Sequence, residues 1–232
     1  MIQRVVIIGG SSGIGLQLAK RLKKENVEII IASRSLEKLQ LAKAALGNDV
    51  EIVQLDANKE SEIITFSEKV GMLDHLIITL RGSSVTDLFV NSNTVAVRKA
   101  FDEKFWTQYN LVRYCLKNLK PKASIILTSG IASQRSYPGF YWHASANGAL
   151  ESLAKSLSAE IAPKRINVIS PGFVESKPND TERLNSIRNI EPKLPMDRLA
   201  TQNELVEGYI FLMKSTYSTG TTLHIDGGIL SA

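Results

Sequence analysis

The sequence holds a single cysteine, Cys115, which excludes an internal disulfide and any Cys-x-x-C zinc or redox motif. No run approaches the roughly 18 apolar residues of a membrane span. The N-terminus, MIQRVVIIGG, carries its basic residue inside a strand pattern and not ahead of a signal-peptide core. A cytoplasmic location without a membrane partner is therefore expected. Repeats and low-complexity segments are absent as well, and no basic arm gathers the positive charge. The net charge of +5 comes from 28 Lys plus Arg against 23 Asp plus Glu, spread along helical patterns such as Lys20, Arg21, Lys23 and Lys24. These read as solvated helix faces, so no nucleic-acid partner is expected, and a small anionic ligand accounts for the sign equally well. A chain of 232 residues is long enough to fold as one domain, 1–232, with neither disulfide nor structural metal.

What is present is an alternation of short apolar runs with longer amphipathic stretches. The runs are Val5 to Ile8, Val27 to Ala32, Val50 to Leu55, Leu76 to Thr79, Ser124 to Thr128, Ile166 to Ile169 and Thr222 to Ile225. Their near-continuous hydrophobicity suits strands buried on both faces. Helical patterns lie between them at about Gly13 to Lys24, Leu36 to Leu46, Glu60 to Val70, Val95 to Leu119, Trp142 to Ile161 and Gln202 to Lys214. The alternation predicts an α/β fold, a doubly wound parallel sheet of about seven strands with helices on both faces. Two long loops break the rhythm, Arg81 to Thr94 and Phe173 to Arg198. Within the second, about 177–195 is the candidate substrate lid.

The first strand runs into Gly9-Gly10-Ser11-Ser12-Gly13-Ile14-Gly15 and then into a helical pattern. Glycine permits a tight turn and close backbone approach, while the free N–H groups and the helix dipole stabilise a pyrophosphate. Between the first strand and first helix of a βαβ unit, this reads as a dinucleotide site. Missing at the end of the second strand is the Asp or Glu that would bind a ribose 2′-hydroxyl. Ser33-Arg34 stands there instead, and with Ser12 it suits a phosphate dianion, favouring NADP(H) over NAD(H). Alternatively, Arg34 is only the surface charge at the start of the next helix.

The chain resembles the short-chain dehydrogenase/reductase family over almost its whole length. The landmarks are GGSSGIG at Gly9, Leu55-Asp56-Ala57 after the third strand, Ser129 ending the fifth, and Ala144-Ser145-x-x-Gly148-Ala149 on the next helix. Arg165 to Val174, with Pro171-Gly172, and Thr219-Gly220 through Asp226-Gly227-Gly228 complete the set. The resemblance implies a Rossmann-type fold in which Asp56 holds the adenine amino group and Val174 and Ser176 lie near the nicotinamide carboxamide. Ala57, Thr79, Leu80 and Arg81 would border the cofactor. It also implies a homodimer or homotetramer paired through two long helices.

The family's Asn-Ser-Tyr-Lys set is kept only in part. Ser129 matches, while anchoring on Ala144-Ser145 puts Trp142 at the tyrosine and Ala146 at the lysine; Tyr141, one residue away, is turned about 100 degrees around the helix. Asn-Asn-Ala-Gly appears as Ile78-Thr79-Leu80-Arg81, and the helical Asn as Lys104. Trp142 cannot release a proton near neutral pH and reads as a wall for the nicotinamide or substrate. Lys104 is either a migrated lysine that stabilises charge on a substrate oxygen, with Ser129 as second donor, or a surface lysine beside Asp102 and Glu103. His143 could titrate beside the cleft but reads as a packing or solvated residue; Arg81 binds pyrophosphate or an acidic substrate, or faces solvent. His75 and His224 read as structural. The expected function is NADP(H)-dependent reduction of a small carbonyl or conjugated carbonyl compound at an atypical site. The alternative is a catalytically silent NADP(H)-binding sensor or regulatory protein.

Overall fold

A computed structural model describes residues 2–83, 85–175 and 194–232. Seven strands form one sheet: β1 (Gln3–Ile8), β2 (Val27–Ser33), β3 (Glu51–Gln54), β4 (Leu73–Ile78), β5 (Leu119–Thr128), β6 (Arg165–Pro171) and β7 (Thr222–Ile225). The order is β3-β2-β1-β4-β5-β6-β7, and each adjacent pair is parallel. Progression reverses between β1 and β4, so the crevice for a ligand opens where the carboxyl ends of these two strands diverge.

Alternate residues of each strand feed opposite cores. Val6, Ile8, Leu76 and Ile78 pack with Ile63 and Phe66 of α3 (Glu60–Lys69), Leu111 of α5 (Thr107–Cys115), and Leu150 and Ala154 of α6 (Tyr141–Glu160). Val5, Ile7, Ile29 and Ile31 pack with Leu18 and Leu22 of α1 (Gly13–Leu22), Leu39 of α2 (Leu36–Leu46), and Leu205 and Tyr209 of the C-terminal helix Gln202–Lys214. Burial on both faces is why these strands read as continuous apolar runs. That last helix opens on a capping box, with Thr201 and Glu204 bonding each other's backbone N–H.

The stretch expected as one helix from Val95 to Leu119 has a break in its middle. It comprises α4 (Thr94–Phe101), a π turn at Asp102–Trp106, α5, and a 3₁₀ turn at Leu116–Asn118, after which β5 begins at Leu119. The π turn adds a residue to the helical ladder and turns Lys104 inward. Among the described residues no helix is long and apolar enough to cross a membrane. Of the candidate lid, Leu194 is buried and Pro195 follows it; 177–193 lie outside the described residues, as does Ser176.

Candidate active site

The turn between β1 and α1 is built by close approach. A Cβ on Gly15 would lie 2.5 Å from the Gly9 carbonyl oxygen, and one on Gly9, at φ +87°, would lie 2.7 Å from Thr79 Oγ1. The Thr79 hydroxyl and N–H both bond the Ile8 carbonyl, so Thr79 braces the turn from below. At Gly13 a Cβ would meet nothing within 4 Å, which leaves open space over the start of α1. Ser12 makes no side-chain cap, and the first turn of α1 holds no carboxylate. The N–H groups of Gly13, Ile14 and Gly15 therefore begin the helix without intrahelical acceptors, a cradle suited to a phosphate.

The adenosine end fits the same group. Ser33 Oγ is buried without a hydrogen-bond partner, and Arg34 is exposed beside a cleft of about 790 Å³ bordered by Ala57, Asn58, Trp106 and Thr107. Asp56 is held in place: its N–H donates to Glu62 at 2.8 Å and its Oδ1 accepts from the Asn58 N–H at 3.2 Å. An orphaned hydroxyl and a guanidinium, at a β2 end that carries no Asp or Glu itself, suit a 2′-phosphate, with Glu60, Asp102 and Glu103 elsewhere on the cleft lining.

Lys104 is only 5% exposed, which removes the surface reading. Its Nζ donates to the carbonyls of Leu80 at 3.2 Å, Thr128 at 2.7 Å and Ser129 at 3.3 Å. An ammonium has three protons, so none is left for a substrate oxygen. Burial, then the charge of Arg81, brings its pKa down to about 7. Gln108 completes the clamp, donating to the Lys104 and Thr128 carbonyls and accepting from the Thr128 N–H. The loop after β4 crosses the lysine stem at Gly82, where a Cβ would sit 3.1 Å from Lys104 Cβ.

Ser129 is placed differently from expectation. Its Oγ donates to Glu151 Oε1 at 2.8 Å, an oxygen shared with Ser133 at 2.7 Å, so its one proton is turned beneath α6. Trp142 is also displaced from its expected role. It is 2% exposed, packs with Ala100 and Ala146, and its indole donates to the Val85 carbonyl at 2.6 Å. Both residues that anchoring put in place of the tyrosine and lysine thus lie in a buried cluster.

The polar stripe of α6 is instead His143, Asn147 and Glu151, spaced i, i+4, i+8. Asn147 Nδ2 donates to the Gly130 carbonyl at 3.1 Å, and Gly130 leaves room for it, since a Cβ there would lie 3.1 Å from Nδ2. His143 stacks on Trp142 with ring centroids 3.7 Å apart, and its pKa falls to about 4 through burial and the charges of Lys104 and Arg81. Asn147, Glu151, Gly130 and Gln108 were missed from sequence. For Asn147 and Glu151 the signal was the four-residue spacing of the polar stripe on α6; Gly130 and Gln108 lie outside that helix and carried no such signal.

The opposite wall comes from β6. The Gly172 N–H donates to the Ile225 carbonyl at 2.9 Å, and Gly172 passes so close to Asp226 that a Cβ would meet its Cα at 2.6 Å. Pro171 ends the strand, Val174 is buried in a bridge to Ala200, and Phe173 stacks edge-on against Tyr137 at 5.7 Å.

A glycine turn at the switch point of this parallel sheet defines a Rossmann-type scaffold. A family model described as "Enoyl-(Acyl carrier protein) reductase" matches residues 9–230. The chain is 30% identical to "Short-chain dehydrogenase/reductase ATR9" of Stachybotrys chlorohalonatus, covering 97% of this chain and 96% of that protein. It is also 30% identical to "3-oxoacyl-[acyl-carrier-protein] reductase FabG" of Rickettsia prowazekii, over 97% and 95%. A solved small-chain dehydrogenase in complex with NADPH superposes with a TM-score of 0.87 at 30% identity over 100% of both chains. The chain belongs to the short-chain dehydrogenase/reductase family, whose members are oxidoreductases that bind nicotinamide cofactors.

Proposed function

We propose that the protein is an NADP(H)-dependent reductase of small carbonyl or conjugated carbonyl compounds, working with an atypical active site. The observation that carries the reading is the β2 end, which bears an unpartnered Ser33 Oγ and the exposed Arg34 and no Asp or Glu of its own, while Glu60, Asp102 and Glu103 line other parts of the cleft that Arg34 borders. Gly9 through Gly15 would hold the pyrophosphate, Ser33 and Arg34 the 2′-phosphate, and Asp56 with Ala57 the adenine. Pro171, Gly172, Val174 and Ser176 would flank the nicotinamide. When bound, NADPH supplies the hydride.

A second reading, a silent NADP(H)-binding sensor or regulator, is favoured by one observation: the Ser129 and Lys104 protons are all committed within the protein. Following NADPH oxidation by the purified protein over ketones, aldehydes, quinones and enones separates the two. Turnover of any class supports the reductase. Saturable NADPH binding with no turnover across the panel favours the sensor. We also propose a homodimer or homotetramer through α4–α5 and α6. Trp106, 47% exposed on the first of these, contacts the rings of Tyr109 and of Phe105, which packs inward against the core.

A further inference from the structure

Resting on the reductase reading, we propose that His143 holds the carbonyl oxygen of the substrate, donating a hydrogen bond from Nε2 of a neutral imidazole. Placement comes first. His143 lies one turn before Asn147, whose Nδ2 bonds the Gly130 carbonyl just past the end of β5. Its neighbour Trp142, stacked on it, has its one donor committed to the Val85 carbonyl. At the head of α6, His143 is thus the polar side chain on the crevice side, near enough to Lys104 and Arg81 to feel both charges.

The ring is also clamped before any ligand arrives. It stacks on Trp142 and lies 4.9 Å from Phe140, tilted 38° to it. A preorganised donor is worth more in catalysis than one that must be ordered at each turnover. Of the two ring nitrogens, Nδ1 is sealed from solvent without a hydrogen-bond partner. A proton left there would lose its hydrogen bond entirely, so the proton belongs on Nε2, at the other edge. Burial opposes a charged imidazolium, and the charges of Lys104 and Arg81 add to it.

The rings of Phe173, Tyr137, Phe140 and His143 form a row with successive centroids 5.7, 6.0 and 4.9 Å apart. Set edge-on or tilted to one another, these rings offer the ring of an aryl ketone an edge-to-face contact. When hydride adds to the carbonyl carbon, the C=O π pair moves to oxygen. The Nε2–H stabilises this charge and passes its proton to the oxygen, leaving an imidazolate that solvent water reprotonates with release of hydroxide. The net addition is one hydride and one proton.

The test uses acetophenone with the NADP⁺-saturated protein. Imidazole ¹⁵N resonances are followed in wild type, and kcat/KM with NADPH is measured in wild type, His143→Phe and His143→Gln. His143→Phe keeps the ring contacts without a donor, and His143→Gln restores an N–H. The expected result is an Nε2–H tautomer whose resonance shifts on adding acetophenone. With it, kcat/KM should fall by about 10²–10³ in His143→Phe and recover partly in His143→Gln, at unchanged NADPH affinity. An Nδ1–H tautomer, no shift with acetophenone, or wild-type turnover by His143→Phe overturns the proposal. Absence of NADPH binding by wild type would sink the reductase reading itself, and this proposal with it.

Discussion

Lys104 Nζ lies 2.7 Å from the Thr128 carbonyl oxygen, tying the middle of a broken helix to the last residue of the inner strand β5. The same carbonyl accepts from Gln108, and the Thr128 hydroxyl donates to Ile78 at 2.6 Å while Tyr209 reaches it at 2.7 Å. Four elements meet on one threonine, so the floor of the crevice is stiff.

The Lys104 pKa moves from 10.5 to about 7 on folding. Between these values the unfolded chain holds the proton more firmly, so stability is greatest above the unfolded value and falls as pH drops toward 7, levelling off below. The slope approaches about 1.4 kcal/mol per pH unit at its steepest. Lys104→Met removes this component. Urea unfolding of both proteins at pH 7 and pH 9 checks it: the stability difference, wild type minus variant, should increase with pH.

Ser129→Ala deletes a hydrogen bond to Glu151 and not a donor facing substrate. Stability is expected to fall by about 1 kcal/mol, with kcat/KM within a few-fold of wild type. A loss of about 10² or more would show instead that the hydroxyl turns outward during turnover.

Gly15→Ala places a methyl 2.5 Å from the Gly9 carbonyl oxygen, a backbone atom with little freedom to retreat. NADPH binding by fluorescence titration should be lost or weakened by about 10²-fold, a cost in line with overpacking at a rigid site. Gly13→Ala meets no atoms and should act only through its backbone strain at φ +55°.

Arg34→Ala should raise the NADPH dissociation constant by about tenfold or more, the worth of a charge-assisted contact. NADH affinity should change little. Equal weakening for both cofactors would remove the 2′-phosphate from this pocket.

The sheet was legible because the inner strands are buried on both faces along most of their length and so read as short apolar runs, as Val5 to Ile8 and Leu76 to Ile78 do. Leu36–Leu46, Gln202–Lys214 and Thr222–Ile225 match their expected bounds residue for residue. The glycine turn was legible because its spacing is set by backbone clashes that only glycine avoids. The proton-handling side was not. Anchoring on Ala144-Ser145 fixed the residue order but not the rotation of α6, and one residue of offset exchanges the crevice face for the buried one. Lys104 lay in a charged run, Asp102-Glu103-Lys104, and nothing local announces a π turn that buries one member of it.

That five-residue turn has a second face. The loop of helix that sends Lys104 inward also carries Trp106 on the outside, among Phe105 and Tyr109. Anything that covers the tryptophan leans on the same few peptide units that carry the buried ammonium, so the outer surface of the protein and the floor of its crevice share one hinge.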